Sequence, residues 1–197
     1  MWGRSCATVF RAQNGANATE GTHRPPPDCT VNAPHRPPYR VLFLCMGNIC
    51  RSPTAHGVFE ARVQAAGLGD RVQVDSAGTH SYHVGAPPDA RSQAHALQRG
   101  YDLSTQRARQ LQVSDFEHFD LILAMDWDNL ALARERCPPP QARKLRRFAE
   151  FFQHHDSAVV PDPYQGGARG FEEVLDLVED GCEGLMQHVR RALDGAG

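Results

Sequence analysis

The sequence predicts an α/β protein: a parallel sheet covered by helices on both faces. Two features carry this. Short, continuously apolar runs suited to buried strands alternate with helical stretches, and the chain ends on a long apolar stripe at helical spacing. At 197 residues there is room for one substantial domain, or one domain and a tail.

Residues 1–38 hold six of the 14 prolines and show no hydrophobic periodicity, so they are expected to form a disordered arm, with one domain over 39–197. Val41-Leu42-Phe43-Leu44 is the first strand. A Gly-containing turn follows, and Pro53 sits in the first turn of a helix that runs to about Ala66. Val72-Gln73-Val74 is a second short strand, and Asp89 caps a helix to about Arg99. Phe119 to Met125 is a third, buried strand. The helix after it, from about Trp127 to Arg136, is stopped by Pro138-Pro139-Pro140. Residues 144–152 fit strand or helix and are taken as a short fourth strand near 144–148. Phe171, Val174, Leu175, Val178, Cys182, Leu185, Met186 and Val189 make the closing helical stripe.

A net charge of −2 gives no global positive field to hold nucleic acid or an anionic bilayer. Any anion site is therefore local. No run approaches the ~18 apolar residues of a membrane span, and the first residues lack an apolar signal core, so a cytoplasmic protein is expected. The six cysteines are scattered without zinc-like spacing and are expected as thiols. His154-His155-Asp156 is expected to be solvated rather than metal-binding, and no cofactor is expected.

The chemistry concentrates in Cys45-Met46-Gly47-Asn48-Ile49-Cys50-Arg51-Ser52-Pro53, a C-x5-R-S loop between the first strand and the first helix. With six Cys and 20 Arg the spacing alone means little, and a second copy runs from Cys137 to Arg143. That copy has three prolines, which lack the N–H groups a phosphate cradle needs. The first copy keeps its donors. At a strand end and helix start, backbone N–H groups and the helix dipole favour an anion, and the same field favours a thiolate at Cys45. Arg51 can grip two phosphate oxygens through its planar fork. Gly47 lets the backbone turn, Asn48 tolerates a left-handed conformation, and Ser52 can donate to the Cys45 sulfur. Strands alternating with helices place such ligands beyond the carboxyl ends of the sheet.

The stretch VLFLCMGNICRSPTAHG closely resembles the active-site segment of the low-molecular-weight protein tyrosine phosphatases, and the likeness extends over residues 40–191 through DSAGTHSYHVGAPPDARS, ARQL, DFEHFDLILAMD and PDPY. The resemblance implies a flavodoxin-like sheet of four parallel strands. It implies hydrolysis of phosphotyrosine in protein substrates through a phosphocysteine on Cys45, without a metal. Arg51 would grip the phosphate, Asp162 of Pro161-Asp162-Pro163-Tyr164 would serve as general acid, and Tyr82 and Tyr164 would wall the entrance. Gln165 departs from the pattern, since many members carry a second aromatic there. Two related activities are the alternatives. An arsenate reductase would need further cysteines, none of which lies between Cys50 and Cys137, and a protein-arginine phosphatase would have Thr where this chain has Ile49. A non-catalytic phosphate-binding module would be expected to lack the nucleophile or the acid. The sequence is silent on oligomeric state.

Overall fold

The first strand, β1 (Tyr39–Cys45), has buried residues on both faces, and the rest of the domain is arranged around it. The computed structural model describes residues 37–195, so the expected arm lies outside the described residues except for Pro37 and Pro38. Val41, Phe43 and Cys45 point into one core and Leu42 and Leu44 into the other, as the period of two in a strand requires. All five are buried, which explains why the run is apolar without alternation.

β1 pairs in parallel with β2 (Val72–Gly78) on one side and β3 (Leu121–Ala124) on the other, and β4 (Leu145–Arg147) lies beyond β3. The order is β2-β1-β3-β4, the four-stranded flavodoxin-like sheet expected. One face is covered by α1 (Arg51–Ala65) and α5 (Ala168–Gly195), with α2 (Ala90–Gln98) joining through Ala96. Phe43 meets Phe59 and Phe148 edge-on there, at ring separations of 5.9 and 5.4 Å. The other face is covered by α3 (Asp115–His118) and α4 (Trp127–Arg136) through Phe116, Leu130 and Ala133. Seven of the eight stripe residues named in the last helix belong to the first core, Met186 at 8% exposure and the other six at 2% or less, and the eighth, Phe171, is buried at 2%.

Several boundaries shift for physical reasons. The first helix starts at Arg51, not Pro53, because the Cys50 carbonyl already accepts the Thr54 N–H (3.2 Å) and the Thr54 hydroxyl (2.7 Å). Strand β2 runs on through Ser76-Ala77-Gly78, whereas β3 is shorter than the apolar run that encodes it. The fourth strand is three residues long and passes directly into a 3-10 turn, Phe148–Phe151. A second 3-10 turn, Pro139–Lys144, follows α4, and α3 had no counterpart in the sequence reading.

From β1 the chain goes to β2 on one side, then returns to β3 on the other. The crevice between β1 and β3 at their carboxyl ends is the switch point of such a sheet. Cys45 is the last residue of β1 and opens directly onto it.

Candidate active site

Residues 45–51 curl tightly from β1 into α1, and the carbonyls of this loop are engaged outside it. Cys45 O accepts from Thr79 N (2.8 Å), Met46 O from His80 N (3.0 Å) and Ile49 O from Asp89 N (2.8 Å). Across a planar trans peptide the next N–H points the opposite way. The amides of Met46, Gly47 and Cys50 are thereby turned inward, and that of Arg51 joins them at the start of the 15-residue α1.

Asn48 holds the curl. Its φ of 57° is left-handed, as its residue type allows. Its Oδ1 accepts from the Arg109 backbone N–H (2.9 Å), so its Nδ2 is free to donate to Ser52 Oγ and Ser76 Oγ, each at 2.9 Å. Ser52 Oγ, having accepted from Asn48, has its own hydrogen for Cys45 Sγ at 3.1 Å. Asn48 N donates to the same sulfur at 3.3 Å. Two donors thus converge on the sulfur of Cys45, the environment a thiolate accepts. Gly47 serves differently from the sequence expectation. Its φ is not positive; a Cβ there would stand 2.8 Å from the His83 ring, so glycine lets that ring approach the loop, and a side chain would displace it.

Arg51 is 2% exposed. Its NH1 donates to Asp126 Oδ2 (2.5 Å) and to the Val160 carbonyl (3.2 Å), and its NH2 to Asp162 Oδ2 (2.8 Å). Burial works against its charge, but Cys45, Asp162 and Asp126 outweigh that and raise its pKa above the ordinary value. The Cys50 thiol is pushed up to about 12, first by burial and then by the charges of Asp89, Cys45 and Asp162. It is therefore a neutral thiol beside the nucleophile candidate.

These groups surround a cavity of about 140 Å³. Its lining takes in the buried Cys45 and Arg51, with Met46, Ile49, Tyr82, His83, Asp162 and Tyr164, of which Met46, Tyr82, Asp162 and Tyr164 are exposed. The loop residues, Asp162 and both tyrosines singled out in the sequence therefore meet in one place, with Asn48 and Ser52 buried directly beneath the pocket. Tyr82 is exposed and stacks on His80 at 5.1 Å, while Gln165 is exposed and outside the lining. His154 and His155 are also exposed, and their backbone N–H groups go to Asp180.

Three participants were missed in the sequence. Asp126 follows β3 and reaches Arg51, Ser76 belongs to β2, and His83 lies beside Gly47. Asp126 had a signal, an acid at the end of a buried strand that also opens a helix, where its Oδ1 accepts from Asn129 N at 2.7 Å.

Residues 40–194 match the family model for low molecular weight phosphotyrosine protein phosphatase. The chain belongs to this family. It is 45% identical over 164 residues to the low molecular weight protein-tyrosine-phosphatase of Streptomyces coelicolor, covering 80% of this chain and 97% of that one. To the human low molecular weight phosphotyrosine protein phosphatase it is 35% identical, covering 75% and 93%. Among solved structures it resembles a protein tyrosine phosphatase from Entamoeba histolytica with Hepes in the active site, at TM-score 0.76 and 39% identity over 81% of this chain and 99% of that one. It also resembles YfkJ from Bacillus subtilis, at TM-score 0.74 and 35% identity over 79% and 96%. As a member of the family the chain is a protein tyrosine phosphatase, a hydrolase whose candidate cysteine suits a phosphocysteine mechanism. No helix of the described residues is long and apolar enough to cross a membrane.

Proposed function

We propose that Cys45, Arg51 and Asp162 carry the hydrolysis of phosphotyrosine in protein substrates, within a catalytic domain spanning residues 39–197 and acting in the cytoplasm. The supporting observation is the bridge made by Arg51. One buried guanidinium stands at the cysteine loop and reaches Asp162 at 2.8 Å, and both line the cavity. Nucleophile, phosphate grip and proton donor thus share one pocket.

A phosphoryl group in the loop receives the inward amides and the Arg51 fork, which neutralise its equatorial oxygens as charge moves in the transition state. Cys45 Sγ attacks phosphorus, the P–O bond to the phenol breaks, and Asp162 hands its proton to the departing oxygen. A phenolate has a conjugate-acid pKa near 10, so this proton removes much of the barrier. Asp162 then accepts a proton from water attacking the phosphocysteine, and the Ser52 hydroxyl stabilises the sulfur as it leaves. Met46, Gly47, Asn48, Ile49 and Cys50 shape the cradle, while Tyr82 and Tyr164 flank the flat ring. The walls near the phosphate are hydrocarbon at Ile49, which suits an aryl ether and leaves a guanidinium unsatisfied.

Assays with p-nitrophenyl phosphate, a phosphotyrosine peptide and a phosphoarginine peptide test this. The wild-type chain is expected to prefer phosphotyrosine, and Cys45→Ser to lose turnover while still binding inorganic phosphate. Retained activity in that variant removes Cys45 as nucleophile, and a preference for phosphoarginine overturns the substrate class.

A further inference from the structure

We propose that Arg91, outside the catalytic pocket, is the positioning residue for the proton donor, locking the Asp162 loop to the phosphate-binding loop. The proposal rests on Asp162 being the acid. Arg91 lies in the first turn of α2, and its guanidinium is spent on two elements at once. Toward α2 it grips Asp89 in a fork, Nε to Oδ1 at 3.0 Å and NH2 to Oδ2 at 2.9 Å. Toward the acid loop its NH1 donates to the Tyr164 carbonyl at 3.2 Å, and the planar group lies 5.5 Å from the Tyr164 ring centre and 4.7 Å from that of the buried Phe171.

Both ends of this lock continue into the site. Asp89 N–H donates to Ile49 O of the phosphate loop at 2.8 Å, and Tyr164 N–H donates to Asp162 Oδ1 at 3.1 Å. Ile49, Asp89, Arg91, Tyr164 and Asp162 therefore form one continuous bonded path around the pocket rim. The path matters because of what the acid has to be. As a carboxylate, Asp162 is drawn to Arg51 by charge. As the protonated acid that donates, it is neutral and loses the ion-pair attraction to Arg51, keeping only a hydrogen bond from the guanidinium. The Arg51 fork is then also in demand by the phosphoryl group. What fixes the carboxyl in that state is the Tyr164 amide, and Arg91 fixes Tyr164. Proton transfer is sensitive to such placement, since displacement of about 1 Å costs on the order of a hundredfold.

The test is kcat/KM across aryl phosphates of graded leaving-group pKa, for wild type, Arg91→Ala, Arg91→Lys, Asp162→Asn and the Arg91→Ala/Asp162→Asn pair, with vanadate inhibition as a check on the cradle. Arg91→Ala is expected to lose about tenfold on phenyl phosphate and far less on p-nitrophenyl phosphate, steepening the leaving-group dependence without weakening vanadate inhibition. Arg91→Lys, which keeps a donor for the Tyr164 carbonyl but not the fork, recovers part of the loss. In the Asp162→Asn background, Arg91→Ala adds nothing to the slope. An equal loss on every substrate, weakened vanadate inhibition, or a slope unchanged from wild type overturns the positioning role. A flat profile for Asp162→Asn overturns instead the acid assignment on which it rests.

Discussion

Arg51 divides one guanidinium between two carboxylates, and the division decides how firmly the phosphate grip is held. Asp126 takes NH1 at 2.5 Å while its other oxygen caps α4, so one side chain fixes both the helix start and the arginine. Asn at 126 keeps the capping oxygen and removes the charge. Asp126→Asn is therefore expected to lower kcat/KM for p-nitrophenyl phosphate by about tenfold, the equivalent of ~1.4 kcal/mol, close to the lower end of the ~1.5–3 kcal/mol spanned by hydrogen bonds to charged groups. A melting temperature near that of wild type would locate the loss in the grip, and unchanged kinetics would show that Arg51 needs no second anchor. Cys50 gives a second residue-level prediction. Its burial keeps it a neutral thiol, so peroxide should oxidise Cys45 first, to a sulfenic acid, which then condenses with the Cys50 thiol to a disulfide with loss of water. Wild-type enzyme is expected to recover activity on adding dithiothreitol, and Cys50→Ser to recover much less; equal recovery refutes the pairing. Cys45, Arg51 and Ser52 were legible from the sequence because one local loop dictates their roles. Asp126 and Ser76 were not, because only the return of the chain to either side of β1 brings them to Arg51 and Asn48.

Periodicity is visible where an element is long enough to repeat it, and the closing helix shows both its reach and its limit. The stripe in α5 identified the buried face, yet it gave no hint of the glycines that set how near the helix comes. A Cβ on Gly184 would lie 2.1 Å from the Phe151 carbonyl oxygen, a backbone atom in the 3-10 turn after β4 that cannot swing aside. Alanine is the better helix former by ~1 kcal/mol, but overpacking a tight contact costs about 1–3 kcal/mol, and here the clash is with backbone. Gly184→Ala should therefore lower the melting temperature by several degrees, at ~2–4 °C per kcal/mol for a domain of this size. A rise in thermal denaturation would mean that α5 does not pack so closely. The short elements escaped the sequence for the same reason of length. Four residues in α3 and three in β4 span too little to repeat a period, and the segment 144–152 looked ambiguous because it is a strand and then a turn. β2 read short because Asp75 and Ser76 interrupt its apolar pattern; as an edge strand it bears polar side chains in its middle, where the central β1 is wholly apolar from Val41 to Leu44.

The order β2-β1-β3-β4 gathers residues scattered from Cys45 to Tyr164 at one end of one sheet, and this is why a loop motif in the first third of the domain foretold the location of the whole site. The same topology bears on where the functional unit begins. Both hydrophobic cores draw their fully buried residues from the span between Val41 and Val189, and the family match starts at residue 40. The first sheet-edge hydrogen bond, Tyr39 N to Arg71 O at 2.8 Å, survives if Tyr39 becomes the terminal residue, because an ammonium is also a donor. Pro37 and Pro38 line a surface groove with Arg71 and Leu193, and Pro38 a second one beside Glu60 and Asp70. Deleting residues 1–38 is accordingly expected to leave kcat on p-nitrophenyl phosphate unaltered and the melting temperature within about 2 °C of the full chain, less than 1 kcal/mol of stability. Thermal denaturation followed by circular dichroism, with the phosphatase assay on the same samples, measures both. A fall of many degrees, or a truncated chain that no longer stays in solution, would place part of the arm within the folding unit and move its boundary upstream of Tyr39.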